Sequence, residues 1–183
     1  MPRNWDSHYS DPDNVDPAPA PLLVEAADLL RPGRALDLAC GAGRNALYLA
    51  QMGWSVTAVD SSEVAIHLLG ERAAGLSVDA RVADLEGGAF AIEPEGYDLI
   101  CDFYYLQRDL FPAIREGVRL GGAFVGAIHL SNPTCDTPPR NPACLLEPGE
   151  LREQFGGWKI LFYSEGPETG RRRASARIVA RRA

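Results

Sequence analysis

The sequence predicts one α/β domain built on a doubly wound, largely parallel sheet. Three observations predict it. Short apolar, β-branched runs alternate with segments of helical period, as βαβ units do. The first run ends in a glycine-rich turn, Cys40-Gly41-Ala42-Gly43, that opens a helix. The last two runs are joined by only Gly166-Pro167-Glu168-Thr169-Gly170, too short for a parallel crossover, so they form an antiparallel hairpin.

Residues 1–20 read as irregular, because Pro12, Pro17, Pro19 and Pro21 block a helix until the last of them. From Leu22 the spacing of Leu22, Leu23, Ala26, Leu29 and Leu30 is helical, and Arg31-Pro32-Gly33 closes it. Residues 34–40 read as the first strand, and residues 45–52 as the helix after the turn, stopped by Gly53. Residues 54–60 form a β-branched strand. Ser61-Ser62-Glu63 then caps the next helix and puts an acid in its first turn. Residues 76–83 and 97–102 read as the third and fourth strands, and residues 110–120 as a helix closed by Gly121-Gly122. Residues 123–130 read as the fifth strand. After a Pro-rich connection over residues 131–147, a short helix begins near Pro148 and ends at Gly156-Gly157. Residues 158–165 and 174–182 supply the final hairpin.

Composition narrows the function classes. With 183 residues, 46% hydrophobic and 23% charged, the chain has the balance of a globular domain large enough for its own core. It holds no apolar run of membrane-spanning length and no apolar leader segment at its start, so neither a membrane span nor a secretory signal is expected. Cys40, Cys101, Cys135 and Cys144 make no CxxC pair, and two fall in core segments, which points to reduced thiols in a cytoplasm. His8, His67 and His129 lie far apart, so no metal site is expected. Residues 1–170 hold 12 Lys/Arg against 25 Asp/Glu, whereas residues 171–183 hold six Arg and no acid. The acidic bulk argues against a nucleic-acid surface. Arg171, Arg172, Arg173, Arg177, Arg181 and Arg182 read as the solvated turn and outer face of the last strand.

The chemistry concentrates around the glycine turn. Gly41 and Gly43 let backbone approach a ligand beside a helix N-terminus. Asp60 lies 19 residues past Gly41, at the end of the next strand, where a carboxylate accepts both ribose hydroxyls of an adenosine. So far this also fits a dinucleotide site. Asp37, inside the first strand, tilts the choice. A buried carboxylate needs a donor or a cation, whereas a pyrophosphate in the turn would be repelled by it. Ala83-Asp84-Leu85, ending the third strand, offers a carboxylate and a backbone N–H to an adenine edge, and the closing hairpin is foreign to a dinucleotide half-domain.

At these residues, and above all over Asp-Leu-Ala-Cys-Gly-Ala-Gly-Arg-Asn-Ala-Leu-Tyr-Leu-Ala from Asp37 to Ala50, the chain resembles the class I S-adenosylmethionine (SAM)-dependent methyltransferases. Its nearest likeness is the small tellurite-resistance-like and thiopurine-methyltransferase-like branch. The resemblance implies a Rossmann-like seven-strand sheet in the order 3-2-1-4-5-7-6, the last strand antiparallel. It also implies that Asp37 and the Gly41/Gly43 backbone hold the methionine end, Asp60 with Ser61 the ribose, and Asp84 with Leu85 the adenine. Trp5 and Tyr9 resemble the segment that folds over the cofactor in this branch. That makes residues 1–21 a cofactor-covering segment and residues 22–183 the binding domain. Phe103 is expected to pack on the cofactor, and Ala39 stands where the motif usually has its first glycine.

The acceptor side is less specific. Methyl transfer from a sulfonium is a displacement in which alignment and water exclusion do most of the work. Soft nucleophiles such as thiolate, selenide or telluride need no base. Where a base is needed, His129 at the end of the fifth strand is the first candidate, with Tyr105 and Asp102 behind it. The spacing of Asp102 and Tyr105 lacks the two prolines of the DNA amino-methylating loop, and no large insertion exists for a macromolecular substrate. The expectation is therefore a monomer or weak homodimer acting on a small molecule, without nucleic acid or membrane. Two alternatives remain at this stage: a nicotinamide-dependent oxidoreductase, and a protein that binds SAM without turnover.

Overall fold

The computed structural model describes residues 4–131, 142–168 and 173–183. Seven strands form one sheet in the order β3-β2-β1-β4-β5-β7-β6. In chain order they are β1 (Arg34–Leu38), β2 (Ser55–Asp60), β3 (Val78–Val82), β4 (Tyr97–Phe103), β5 (Val118–His129), β6 (Lys159–Pro167) and β7 (Ala174–Arg181). The first five run parallel, and β7 lies antiparallel between β5 and β6. Both the α/β class and the strand order match the expectation. The short Pro/Gly link forces the reversal: β6 cannot reach a parallel neighbour, so its partner β7 returns antiparallel.

The helices are α1 (Trp5–Tyr9), α2 (Pro21–Ala27), α3 (Arg44–Gln51), α4 (Glu63–Arg72), α5 (Phe111–Gly117) and α6 (Glu150–Gln154). Strand alternation divides the buried residues into two cores, one on each face of the sheet. One face packs Ala35, Ala58, Leu99, Cys101, Phe103, Val125, Ala127 and Val179 against α2, α3 and α4. The other packs Leu36, Leu38, Ile100, Phe124, Ile128 and Ile178 against α5 and α6, where Phe124 stacks on Phe155 at 4.4 Å. Parallel strands covered on both faces read as continuous apolar runs, as residues 99–101 of β4 and 123–128 of β5 do, whereas the edge strand β3 alternates.

Several boundaries differ from expectation, each for a local reason. The first twenty residues are not wholly irregular: Asn4 caps a one-turn helix by accepting from the Ser7 N–H at 3.1 Å, ahead of Pro12, and a 3-10 turn follows at Pro12–Asn14. Helix α2 stops at Ala27, leaving Leu29 61% exposed. Residues 118–120, expected to finish a helix, instead begin β5. Val118 pairs with Tyr97, Ala123 pairs with Leu99, and the residues between bulge outward through Gly121 at φ +80°. The Gly121 N–H donates to Arg182 and the Arg182 N–H to Gly122, so the two glycines serve the strand and not a helix end. The terminal arginines are less solvated than expected, because β7 is an interior strand. Arg177 and Arg181 are partly buried, and Arg182 donates to the carbonyls of Val118 and Glu116. Cys135, Arg171, Arg172 and most of the Pro-rich connection lie outside the described residues.

Candidate cofactor site

The carboxyl ends of β1, β2 and β4 converge on the glycine turn, where open α/β sheets bind ligands. Ala39 leaves β1 at φ +49°, and Gly41 and Gly43 follow at +55° and +80°. These are left-handed conformations that favour glycine. A Cβ on Gly41 would lie 2.3 Å from the hydroxyl of Tyr9, and one on Gly43 would strike Leu69 of α4 at the same distance. The turn is thus pressed from both sides, and neither position tolerates a side chain.

Asp37 lies on the α3 side of the sheet, paired in register with Cys101. It is 1% exposed. Its Oδ1 accepts from the Cys101 thiol at 3.4 Å, while its Oδ2 is buried with no hydrogen-bond partner. Burial pushes its pKa up to about 7, against smaller lowering effects of the Cys101 thiol, Arg44 and the Ala46 N–H. An unsatisfied buried carboxylate is costly, and an ammonium group is its natural complement. Burial also raises the pKa of the adjacent thiols Cys40 and Cys101, so both stay protonated and unreactive.

Asp60 ends β2 beneath the turn. Its Oδ2 accepts from the Gly41 N–H at 2.8 Å and its Oδ1 from the Ser62 N–H at 2.9 Å. Each oxygen keeps a second lone pair for a ligand hydroxyl. Burial raises this carboxyl too, offset by those N–H donors. Ser61 is exposed beyond it, and Ser62 is the residue that caps α4, accepting from Ala65. Asp84 is exposed and turns onto its own loop, accepting from the Glu86 N–H at 3.0 Å. Leu85 is buried, and its carbonyl accepts from Gln107.

Helix α1 roofs this site. Trp5, His8 and Tyr9 form an aromatic cluster with ring separations of 4.9–6.2 Å. Asp6, which sequence reasoning missed, accepts from Ser62 Oγ at 2.6 Å and from the Val64 N–H at 3.3 Å, placing a carboxylate at the N-terminus of α4. The Ser62 hydroxyl is the main reason its pKa is lowered. No periodic pattern marks Asp6, because its partner is 56 residues away.

Of the three candidate bases, only His129 shares the Asp37 face. It ends β5 in register with Ser175 and stacks on Tyr104 at 4.9 Å. Phe103, 9% exposed, ends β4 on that face. Tyr105 and Asp102 pack toward the opposite side, where the Tyr105 N–H donates to Asp102 at 3.3 Å. Burial raises the pKa of both well above the usual ranges, so the phenol keeps its proton at neutral pH. Sequence reasoning also missed Glu168, which accepts from Tyr104 at 3.0 Å and from Ser175. Among the described residues no cluster is placed to hold a metal ion, and no helix is long and apolar enough to cross a membrane.

The family model of the tellurite resistance protein TehB matches residues 4–175, nearly the whole chain. The chain belongs to the TehB family. A probable SAM-dependent methyltransferase TehB from Haemophilus influenzae is 32% identical over 152 residues, covering 78% of this chain and 52% of that protein. The chain therefore spans about half the length of the curated TehB relatives it matches. The crystal structure of TehB from Haemophilus influenzae superposes with a TM-score of 0.78 at 27% identity, covering 98% of this chain and 67% of that one. A structure for the conversion of a disulfide bond into a thioacetal group during echinomycin biosynthesis follows at a TM-score of 0.65 and 25% identity, covering 90% and 82%. This TehB-family chain thus has the class I methyltransferase fold.

Proposed function

We propose that this TehB-family chain is a SAM-dependent methyltransferase whose acceptor is a small molecule with a soft chalcogen nucleophile. The single observation that carries the cofactor is the buried, unpartnered Oδ2 of Asp37 beside the glycine turn. That atom fits the ammonium of an amino acid moiety and opposes a pyrophosphate, which disfavours a nicotinamide dinucleotide. Residues 1–21 are the covering segment and residues 22–183 the binding domain. Asp37 and the turn hold the methionine end, Asp60 the ribose hydroxyls, and Leu85 the adenine face with Asp84 at its edge. Ala39, Ser61, Phe103, Trp5 and Tyr9 shape and close the pocket.

Bound SAM supplies a methyl group on a positively charged sulfur. The chain's own part is alignment: its α1 roof excludes water, and the Phe103–Tyr104 end of β4 borders the acceptor's approach. The family's association with tellurite resistance and the sulfur chemistry of the echinomycin neighbour support a chalcogen acceptor. A lone pair on that atom forms the new bond to carbon as the sulfonium C–S bond breaks. An acceptor that arrives as a thiol gives its proton to His129. The buried, protonated thiols suit a reducing cytoplasm, and a monomer or weak homodimer suffices.

Calorimetric titration with S-adenosylhomocysteine, with NADH and NADPH in parallel, tests the cofactor. Saturable binding of the first alone, lost in Asp60→Ala, is the expected result. Addition of SAM with 2-mercaptoethanol or sodium hydrogen selenide is then expected to yield S-adenosylhomocysteine in proportion to methylated product. Binding without turnover on any chalcogen acceptor would overturn the catalytic half of the proposal.

A further inference from the structure

The end of β4 carries a feature that cofactor binding leaves unexplained. Tyr104 sits at φ +69°, a left-handed backbone that a bulky aromatic residue rarely adopts. Such a conformation persists only where its surroundings hold it. The Tyr104 N–H donates to Ala127 of β5 at 2.7 Å, and its ring stacks on the His129 imidazole with an interplanar angle of 29°. Its hydroxyl donates to Glu168 Oε2 at 3.0 Å. The other oxygen of Glu168 accepts from Ser175 Oγ, a side chain with no exposed surface. Ser175 lies opposite His129 in the β5–β7 register. One carboxylate therefore ties the residue after β4 to the start of β7, with His129 at the end of β5 between them.

We propose that Glu168 is a positioning residue of the acceptor site, clamping the Tyr104 ring against His129. The inference rests on the methyltransferase reading. β4 is the strand next to β1, so an acceptor reaching a methyl group near Asp37 passes the residues that end β4 and β5. An imidazole that must take a thiol proton needs a fixed plane, and stacking against a hydrogen-bonded tyrosine fixes it. Glu168 touches neither donor nor acceptor; it acts through Tyr104. A charge-assisted hydrogen bond is roughly twice as strong as a neutral one, which suits a clamp that must hold a strained backbone.

The test uses the whole chain and has two readouts. Only three histidines occur, His8, His67 and His129, so their ring resonances can be followed by NMR across a pH titration. In Glu168→Gln and in Tyr104→Phe, the His129 signals are expected to move and its titration midpoint to shift, while His8 and His67 stay unchanged. With 2-mercaptoethanol as acceptor, each variant is expected to lose about tenfold in kcat/KM, and the double variant no more than either single one. Affinity for S-adenosylhomocysteine is expected to stay within about twofold of the parent's, since one lost hydrogen bond at a distance moves a well-separated site little. His129 resonances unaltered in both variants would overturn the clamp. Loss of S-adenosylhomocysteine binding in the parent protein would instead overturn the methyltransferase reading, and the NMR result would stand apart from it.

Discussion

At the scale of single residues, Asp37 decides the most. Burial is the main cause of its raised pKa, near 7 against an ordinary 3.8. The folded chain therefore binds this proton more tightly than the unfolded chain does. The stability it contributes is full below about pH 4 and is lost as pH rises through 7. The free protein is expected to fall in Tm between pH 5 and 8 by an amount that Asp37→Asn lacks, read by thermal denaturation of both. In the proposed complex the preference reverses, because an ammonium placed at Oδ2 would require the carboxylate. Affinity for S-adenosylhomocysteine is thus expected to weaken about tenfold per unit as pH drops below 7. Arg44, Asp60, Cys40 and Cys101 all act on this carboxyl or sit beside it, yet only Asp37 combines full burial with an orphaned oxygen. An affinity flat from pH 5 to 8 in calorimetry would remove Asp37 from the ammonium contact.

At the scale of elements, α1 is the piece whose role exceeds its size. A five-residue helix with no buried residue has no stability of its own, so its position rests on Asp6 at the start of α4 and Tyr9 against Gly41. Asp6→Ala is expected to release it and weaken S-adenosylhomocysteine binding about fivefold, the worth of one helix cap, while Tm stays nearly constant. Deleting residues 1–12 is expected to do at least as much. Equal affinity in both variants and the parent would mean that α1 covers nothing. The same helix shows where sequence reading ran out. β1, the glycine turn, α3, β2 and the hairpin were legible because local chemistry dictates them: glycine at positive φ, an acid at a strand end, a link too short to cross over. Helix α1 was not, since five polar and aromatic residues show no period. Residues 118–120 look helical in isolation, and only the pairing of Val118 with Tyr97 makes them strand. Asp37 and Asp60 could be proposed from their register with the turn. Asp6, Glu168 and the opposite facing of Asp102 and His129 depend on contacts across the fold, which no local window contains.

At the scale of the whole molecule, the two faces of the sheet divide the work. The α5/α6 face is a dense aromatic core, with Phe111, Phe124 and Trp158 each packed against Phe155. The α2/α3/α4 face leaves polar atoms unsatisfied: Asp37 Oδ2, and farther along the sheet Arg177 Nε and Ser164 Oγ. Among the described residues these unpaired buried groups fall on one face of the sheet, and each is a cost that a suitable partner would relieve. A ligand that satisfies Asp37 should therefore stabilise the entire cooperative unit. At a hundredfold excess over Kd, S-adenosylhomocysteine is expected to add about 2.7 kcal/mol to unfolding, or roughly 5–10 °C in Tm for a domain of this size. Asp37→Asn is expected to lose most of that shift at the same ligand concentration, because its affinity is lower, although its unliganded Tm at pH 8 is higher than the parent's. Differential scanning calorimetry of both proteins with and without ligand reads all four values. A variant that is more stable alone yet gains less from the ligand is the signature of a carboxylate kept unsatisfied for binding. Equal ligand shifts in the two proteins would show that the stabilisation comes from elsewhere in the cleft.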